Sequence, residues 1–201
     1  MDMQKVINSL LNNGYSVKHF QTKEAAAEYL NSEIDGETVG FGDSKTLTEM
    51  KLYETLSKHN VVIDPQQDMR HAIFMKIAKL CLSTEIYITS VNAMSETGEL
   101  VNIDGTGNRV AGSLFGHRKV YFVLGINKIA PTLEDAVWRA RNIAAPLNAQ
   151  KKGMNTPCAL KGDRCYNCSS PDRICNSLVI HYKKMMATEA EVILISEPLG
   201  F

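Results

Sequence analysis

The sequence predicts an α/β fold, a layered domain around a mainly parallel sheet. Short strand-like runs alternate with amphipathic helical segments along the chain, the order that places helices over a parallel sheet. With 201 residues, 44% hydrophobic and 22% charged, the chain can bury one full core. Glycines cluster between strands rather than inside them, as loops over a sheet require. The chain reads as one domain over residues 1–201, with a cysteine-rich insert at about 151–176.

Taken in order, Met3–Leu11 puts Val6, Ile7, Leu10 and Leu11 on one helical face, and Gly14 stops the helix. Tyr15–Phe20 alternates as a strand, Lys23–Leu30 is an alanine-rich helix, and Glu37–Phe41 is a strand entering Gly42-Asp43-Ser44. Thr46 and Glu49 have the spacing of a capping box opening a helix to about Lys58. Val61–Asp64 reads as a short buried strand ended by Pro65. His71–Leu82 is a helix with Ile73, Ile77 and Leu80 on one face, and Ile86–Thr89 is the next strand. Glu99–Ile103 and Lys119–Leu124 are strands joined by a glycine-rich loop. Thr132 and Asp135 open a helix along which Leu133, Ala136, Val137, Ala140, Ile143, Ala144 and Leu147 repeat, with Pro146 kinking or ending it. Leu178–His181 and Glu191–Ile195 are the last strands.

Lys+Arg and Asp+Glu both number 22, so the formal net charge is zero. That balance gives no electrostatic footprint for nucleic acid or an acidic membrane surface. No run approaches 18 apolar residues, and the N-terminus lacks a basic region ahead of an apolar block. The expectation is a cytoplasmic protein with no nucleic-acid partner and no membrane insertion.

The chain is organised around Thr89–Asn127, where six glycines fall in 39 residues among Ser95, Glu96, Thr97, Asp104, Asn108 and Arg109. A ligand-binding loop surface competes here with plain tight turns. In open parallel sheets ligands sit at the carboxyl ends of strands. Val39 precedes Gly40–Ser44, Thr89 precedes Asn92–Gly98, and Leu124 precedes Gly125–Lys128, so the three loops should share one rim. The expected cleft is lined by Gly42, Ser44, Glu96, Thr97, Asn127 and Lys128, with Asn108 and Arg109 as further ligand contacts. Glycine-turn amides, hydroxyls and Lys128 favour a small organic anion. Arg109 has a competing role, pairing with Asp104 to fix its loop. Glu96 could be a nucleophile or base, or simply a solvated turn carboxylate.

The sharpest chemical signal is the insert. Cys158, Cys165, Cys168 and Cys175 give C-x6-C-x2-C-x6-C. Four thiolates at that spacing can close around one metal centre, either zinc or an iron–sulfur cluster. Two disulfides or a lone redox C-x-x-C compete with this reading; the first suits an oxidising compartment and the second leaves two cysteines unexplained. Lys161, Arg164 and Arg173 could offset thiolate charge, and Cys81 reads as a core residue.

The runs VGFGDS (39–44), NAMSETGELVNIDGTGNRVAG (92–112) and VLGINKI (123–129), in this order, resemble the lactate-utilisation domain family, LUD. The resemblance extends to about Ala149, and the cysteine insert is similar to a tail in a subset of that family. It implies a fold like sugar-phosphate isomerases and CoA transferases, an α/β layered sandwich around a mainly parallel mixed sheet, and a place in organic-acid oxidation beside iron–sulfur partner proteins. It also sets Glu96 near where CoA transferases carry a catalytic glutamate. Two functional readings follow: a redox accessory component with an anion pocket and a four-cysteine centre, or a stand-alone acyl/CoA-transferase-like enzyme using Glu96 with a structural zinc.

Overall fold

The computed structural model describes residues 2–201. The first half runs α1 (Met3–Asn12), β1 (Ser16–Phe20), α2 (Lys23–Glu33), β2 (Thr38–Phe41), α3 (Lys45–Glu49), α4 (Leu52–Leu56), β3 (Val61–Ile63), α5 (His71–Cys81) and β4 (Ile86–Thr89). The second half runs β5 (Ala93–Ser95), β6 (Leu100–Asp104), α6 (Asn108–Leu114), β7 (Lys119–Gly125), β8 (Ile129–Ala130), α7 (Leu133–Arg139), α8 (Ala145–Lys151), α9 (Pro157–Lys161), β9 (Ser177–His181) and β10 (Glu189–Ile195).

Six strands form one parallel sheet in the order β1-β10-β7-β4-β2-β3. Its central strands are buried on both faces, so β4 and β7 read as nearly continuous apolar runs. On one face Phe41, Ile88, Tyr121, Val123 and Ile193 pack under Leu30 of α2, Leu47 of α3 and Leu52 and Leu56 of α4. On the other, Phe122, Leu124, Val192 and Leu194 meet Val6 and Leu10 of α1 and Met94 and Leu100 of a second sheet. That smaller sheet is mixed, in the order β8-β5-β6-β9. Its outer face is covered by Ala136, Ala140 and Ala145, small residues that let the α7–α8 helix approach closely.

Several expectations change in the structure. Thr46 does not cap a helix: Ser44 is the N-cap of α3, and the predicted helix 46–58 breaks at Lys51, whose φ of 54° is left-handed. The Thr46 hydroxyl is taken by a buried lysine instead. The 61–63 strand is an edge strand with Val61 63% exposed, and Leu80 points outward at 55% exposure. Pro146 neither ends nor breaks its helix. The chain widens into a π turn over Ala140–Ala144 just before it, where the proline ring and missing N–H disfavour a tight α ladder. The two-residue and three-residue strands β8 and β5, and the helices α6 and α9, lie inside stretches the sequence presents as loop. No helix among the described residues is long and apolar enough to cross a membrane.

Candidate functional site

The carboxyl ends of β2, β4 and β7 lie side by side, because these strands are parallel neighbours in the sheet. Beyond them opens a cleft of about 580 Å³, within the range that holds a small ligand. The β2 loop supplies Asp43, Ser44 and Thr46, and the β4 loop supplies Ser90 and Asn92. Lys128 follows β7, and Asp104, Asn108 and Arg109 come from the β6–α6 turn. The far wall is made by Lys151 and Lys152 at the end of α8, Arg173 and Ile174 of the insert, and Phe201.

Lys128 is the most unusual of these groups. Only 4% of it is exposed, yet it lines the cleft. Its Nζ donates to Thr46 Oγ1 and to Ser90 Oγ, both at 2.9 Å. It forms no ion pair among the described residues. Glu49, the carboxylate acting on it, is held instead by Lys45 at 3.4 Å and by the Gly200 N–H at 2.8 Å. Burial first, then the positive charges of Arg139, Arg109 and Lys45, pull the Lys128 ammonium down to about 7, against the partial opposition of Glu49. A lysine with that environment is part free amine at neutral pH.

Arg109 is spent on structure. Its guanidinium donates to Ile103 O at 2.6 Å, Asn102 Oδ1 at 3.2 Å and Asn92 Oδ1 at 3.4 Å. Its Nε lies 3.2 Å from Asp104 Oδ2, an ion pair without an aligned hydrogen bond. The other oxygen of Asp104 accepts from the N–H groups of Thr106 and Gly107 at 3.0 and 2.8 Å, closing the turn before α6. Gly107 has φ of 89°, a conformation that favours glycine there. Arg139 clamps the rim from behind, donating to Asn127 O and Asn92 O. Across the mouth, Lys152 pairs with Asp43 at 3.1 Å.

Of the residues expected around the ligand, Ser44, Asn108, Arg109 and Lys128 line this cleft. Gly42 lies behind it: a Cβ there would stand 2.6 Å from Thr89 Oγ1 and 2.7 Å from the Tyr87 hydroxyl. Asn127 is turned away, its amide exchanging hydrogen bonds with the Leu199 backbone. Glu96 and Thr97 sit on the β5–β6 turn, which β5 carries out of the cleft onto α1. Glu96 pairs there with Lys5 at 3.5 Å, and the Thr97 carbonyl accepts from Asn13. Helix α3 has five residues, so it offers no long dipole at its start. Thr46, Ser90, Lys45, Lys151, Lys152 and Arg173 are cleft residues that the sequence reading does not place there. Ser90 was findable, since it directly follows the Ile86–Thr89 strand; the two α8 lysines carry no local signal.

The cysteine insert forms one side of the same cleft. Asn176 N–H donates to Asp104 O at 2.9 Å and its side chain to Gly105 O at 3.1 Å. Ile174 O would lie 2.7 Å from a Cβ at position 105, so only glycine fits. Cys158, Cys165, Cys168 and Cys175 are half-buried free thiols, without disulfides. Asn167, at φ 46°, directs its N–H at Cys165 Sγ, 3.3 Å away, and Arg173 donates to Cys168 O and Cys175 O. Among the described residues, no three His, Cys, Asp or Glu side chains stand grouped as ligands of one ion. Cys81 is buried and donates to Ile63 O, with burial pushing its thiol up to about 11.

The LUD domain model matches residues 3–195. Among solved structures, the chain is similar to a DUF162 family protein from Deinococcus radiodurans, at 13% identity over 96% of this chain and 95% of that one, with a TM-score of 0.54. At that identity the likeness is one of fold. A partial overlap exists with ribose 5-phosphate isomerase A from Neisseria gonorrhoeae, at 14% identity over 55% of this chain and 54% of that one, with a TM-score of 0.37. No curated protein matches the chain.

Proposed function

This chain belongs to the LUD domain family, and we propose that its cleft binds a small organic anion, in an accessory or redox component of lactate-type organic-acid oxidation. The observation that carries this reading is charge. On a chain of zero net charge, Lys45, Arg109, Lys151, Lys152 and Arg173 line the cleft, with Lys128 protonated in part, against only two carboxylates, Asp43 and Asp104. Both carboxylates are already paired, with Lys152 and Arg109. Cations concentrated in a concave, partly dry site raise the local concentration of an anion. Ser44, Ser90 and Thr46 add hydroxyls suited to a carboxylate and its neighbouring oxygen. Calorimetry with hydroxy acids, 2-oxo acids, sugar phosphates and acyl-CoA compounds tests the reading. A small acid binding more weakly as salt rises is the expected result; no anion binding at millimolar concentration overturns it.

In the same reading the insert holds one metal centre through Cys158, Cys165, Cys168 and Cys175, an iron–sulfur cluster or zinc, and faces an iron–sulfur partner protein. Its support is the cysteine spacing, four free thiols on one short segment, and the Asn167 N–H aimed at the Cys165 sulfur. The basic side chains of Lys161, Arg164 and Arg173 are nearby in the chain. Binding has to draw the sulfurs together, since they are not grouped beforehand. A cluster would supply electron transfer; zinc would supply local folding free energy. Iron, sulfide and zinc assays on anaerobically purified protein separate the two, and a chain free of all three removes the centre. Acyl transfer through Glu96 has no support from its position beside Lys5.

A further inference from the structure

We propose that Lys128 is a nucleophilic amine, and that the cleft takes carbonyl-bearing acids, 2-oxo acids in particular, as a reversible imine on its Nζ. This deepens the anion-binding reading and rests on it. The geometry points to it in three ways. Lys128 is nearly fully buried but forms part of the cleft wall, and Thr46 and Ser90, which hold its Nζ, line the same cleft. Its two hydrogen-bond partners are neutral hydroxyls, Thr46 and Ser90. Two acceptors suit an amine with two protons and leave its lone pair for a carbonyl carbon. A lysine kept for structure at such depth is normally paired with a carboxylate, and Lys128 is not.

Every charged group acting on Nζ agrees except one. Arg139 of α7, Arg109 of α6 and Lys45 of α3 disfavour its protonation, while Glu49 of α3 favours it weakly because Lys45 and Gly200 already engage that carboxylate. At neutral pH the free-amine fraction is therefore about a thousand times that of an ordinary lysine. In the step itself, the Nζ lone pair forms a C–N bond to the carbonyl carbon as the carbonyl oxygen gains a proton. The nitrogen gives up one proton. The hydroxyl formed on the carbon takes a second proton and leaves as water while the nitrogen lone pair forms the C=N bond. Loss of the nitrogen's other proton gives the neutral imine, so that both amine protons are accounted for in the water released. No oxidant or reductant is consumed. Ser90 and Thr46, each 2.9 Å from Nζ, are placed to pass these protons, and the surrounding cations hold the carboxylate.

The test is borohydride trapping of the full chain with pyruvate at pH 7, followed by digestion and mass spectrometry, alongside calorimetry with pyruvate and lactate. The expected result is one reduced adduct per chain, on the peptide containing Lys128, formed at least tenfold faster than on any other lysine. Lys128→Arg should abolish that adduct. Because the wild-type map locates the site, the test stands even if a variant fails to fold. Adducts spread evenly over Lys45, Lys151 and Lys152, or none at all while pyruvate or lactate binds by calorimetry, overturn the inference and leave anion binding intact. Absence of both adduct and binding overturns the inference, and overturns the anion reading as well if no other acid of the wider panel binds.

Discussion

Lys128→Met removes the buried amine while keeping much of its volume and apolar stem. The structure gives a magnitude for the consequence. In the unfolded chain this lysine holds its proton up to the ordinary value of 10.5, whereas in the folded chain burial and neighbouring cations release it near pH 7. Between those values the unfolded state binds the extra proton, so lowering the pH favours unfolding and raising it stabilises the fold. Each pH unit in the window is worth about 1.4 kcal/mol. Because the transition at 7 is gradual, the wild-type gain from pH 6 to pH 9 comes to roughly 2.5 kcal/mol from this group alone. The variant lacks it. Urea unfolding of both proteins at pH 6, 7, 8 and 9 isolates the term, since other titrating groups cancel in the difference. Wild type should gain on the variant steadily as pH rises. Parallel stability curves, within about 0.5 kcal/mol over that range, would refute the idea that Lys128 is a depressed, unpaired amine; that threshold is the scatter of additive mutational effects.

Other perturbations follow from the same geometry. Asp43→Asn frees Lys152 and removes a carboxylate from the cleft mouth, so small-acid affinity by calorimetry should rise by about 1 kcal/mol, the upper range for a partly exposed pair; weaker binding contradicts the anion reading. Gly125→Ala places a Cβ 2.3 Å from Glu197 O and 2.6 Å from Leu199 N, both backbone atoms, and should cost about 1–3 kcal/mol in urea unfolding, with faster exchange at the Leu199 amide. An unchanged midpoint there would mean the 197–199 segment yields freely. Cys165→Ser and Cys168→Ser should each lower bound metal while the circular dichroism of the α/β core persists, because the insert lies outside both main core clusters; full metal content in both variants speaks against a shared centre.

What the sequence determined by itself was the alternation of helices and strands and the edge of the sheet where a site would form. Apolar periodicity is local and the parallel arrangement follows from it, so β2, β4 and β7 and their shared rim were legible, as was Lys128 after the last of them. The stretch Asn108–Leu114 was not readable as a helix, because Gly107 and Gly112 weaken propensity and its stability comes from seating on Tyr87, whose ring atoms would lie 2.6 Å from a Cβ at 112. Only the tertiary structure decided which side chains meet. Thr46 has the spacing of a cap, yet its hydroxyl serves Lys128 from 82 residues away. Glu96 has the neighbours of an active-site turn, yet a three-residue strand carries it to Lys5. Whether a lysine keeps its proton firmly in water or yields it more readily among hydroxyls depends on burial and on charges brought from α3, α6 and α7, and no local pattern encodes that field.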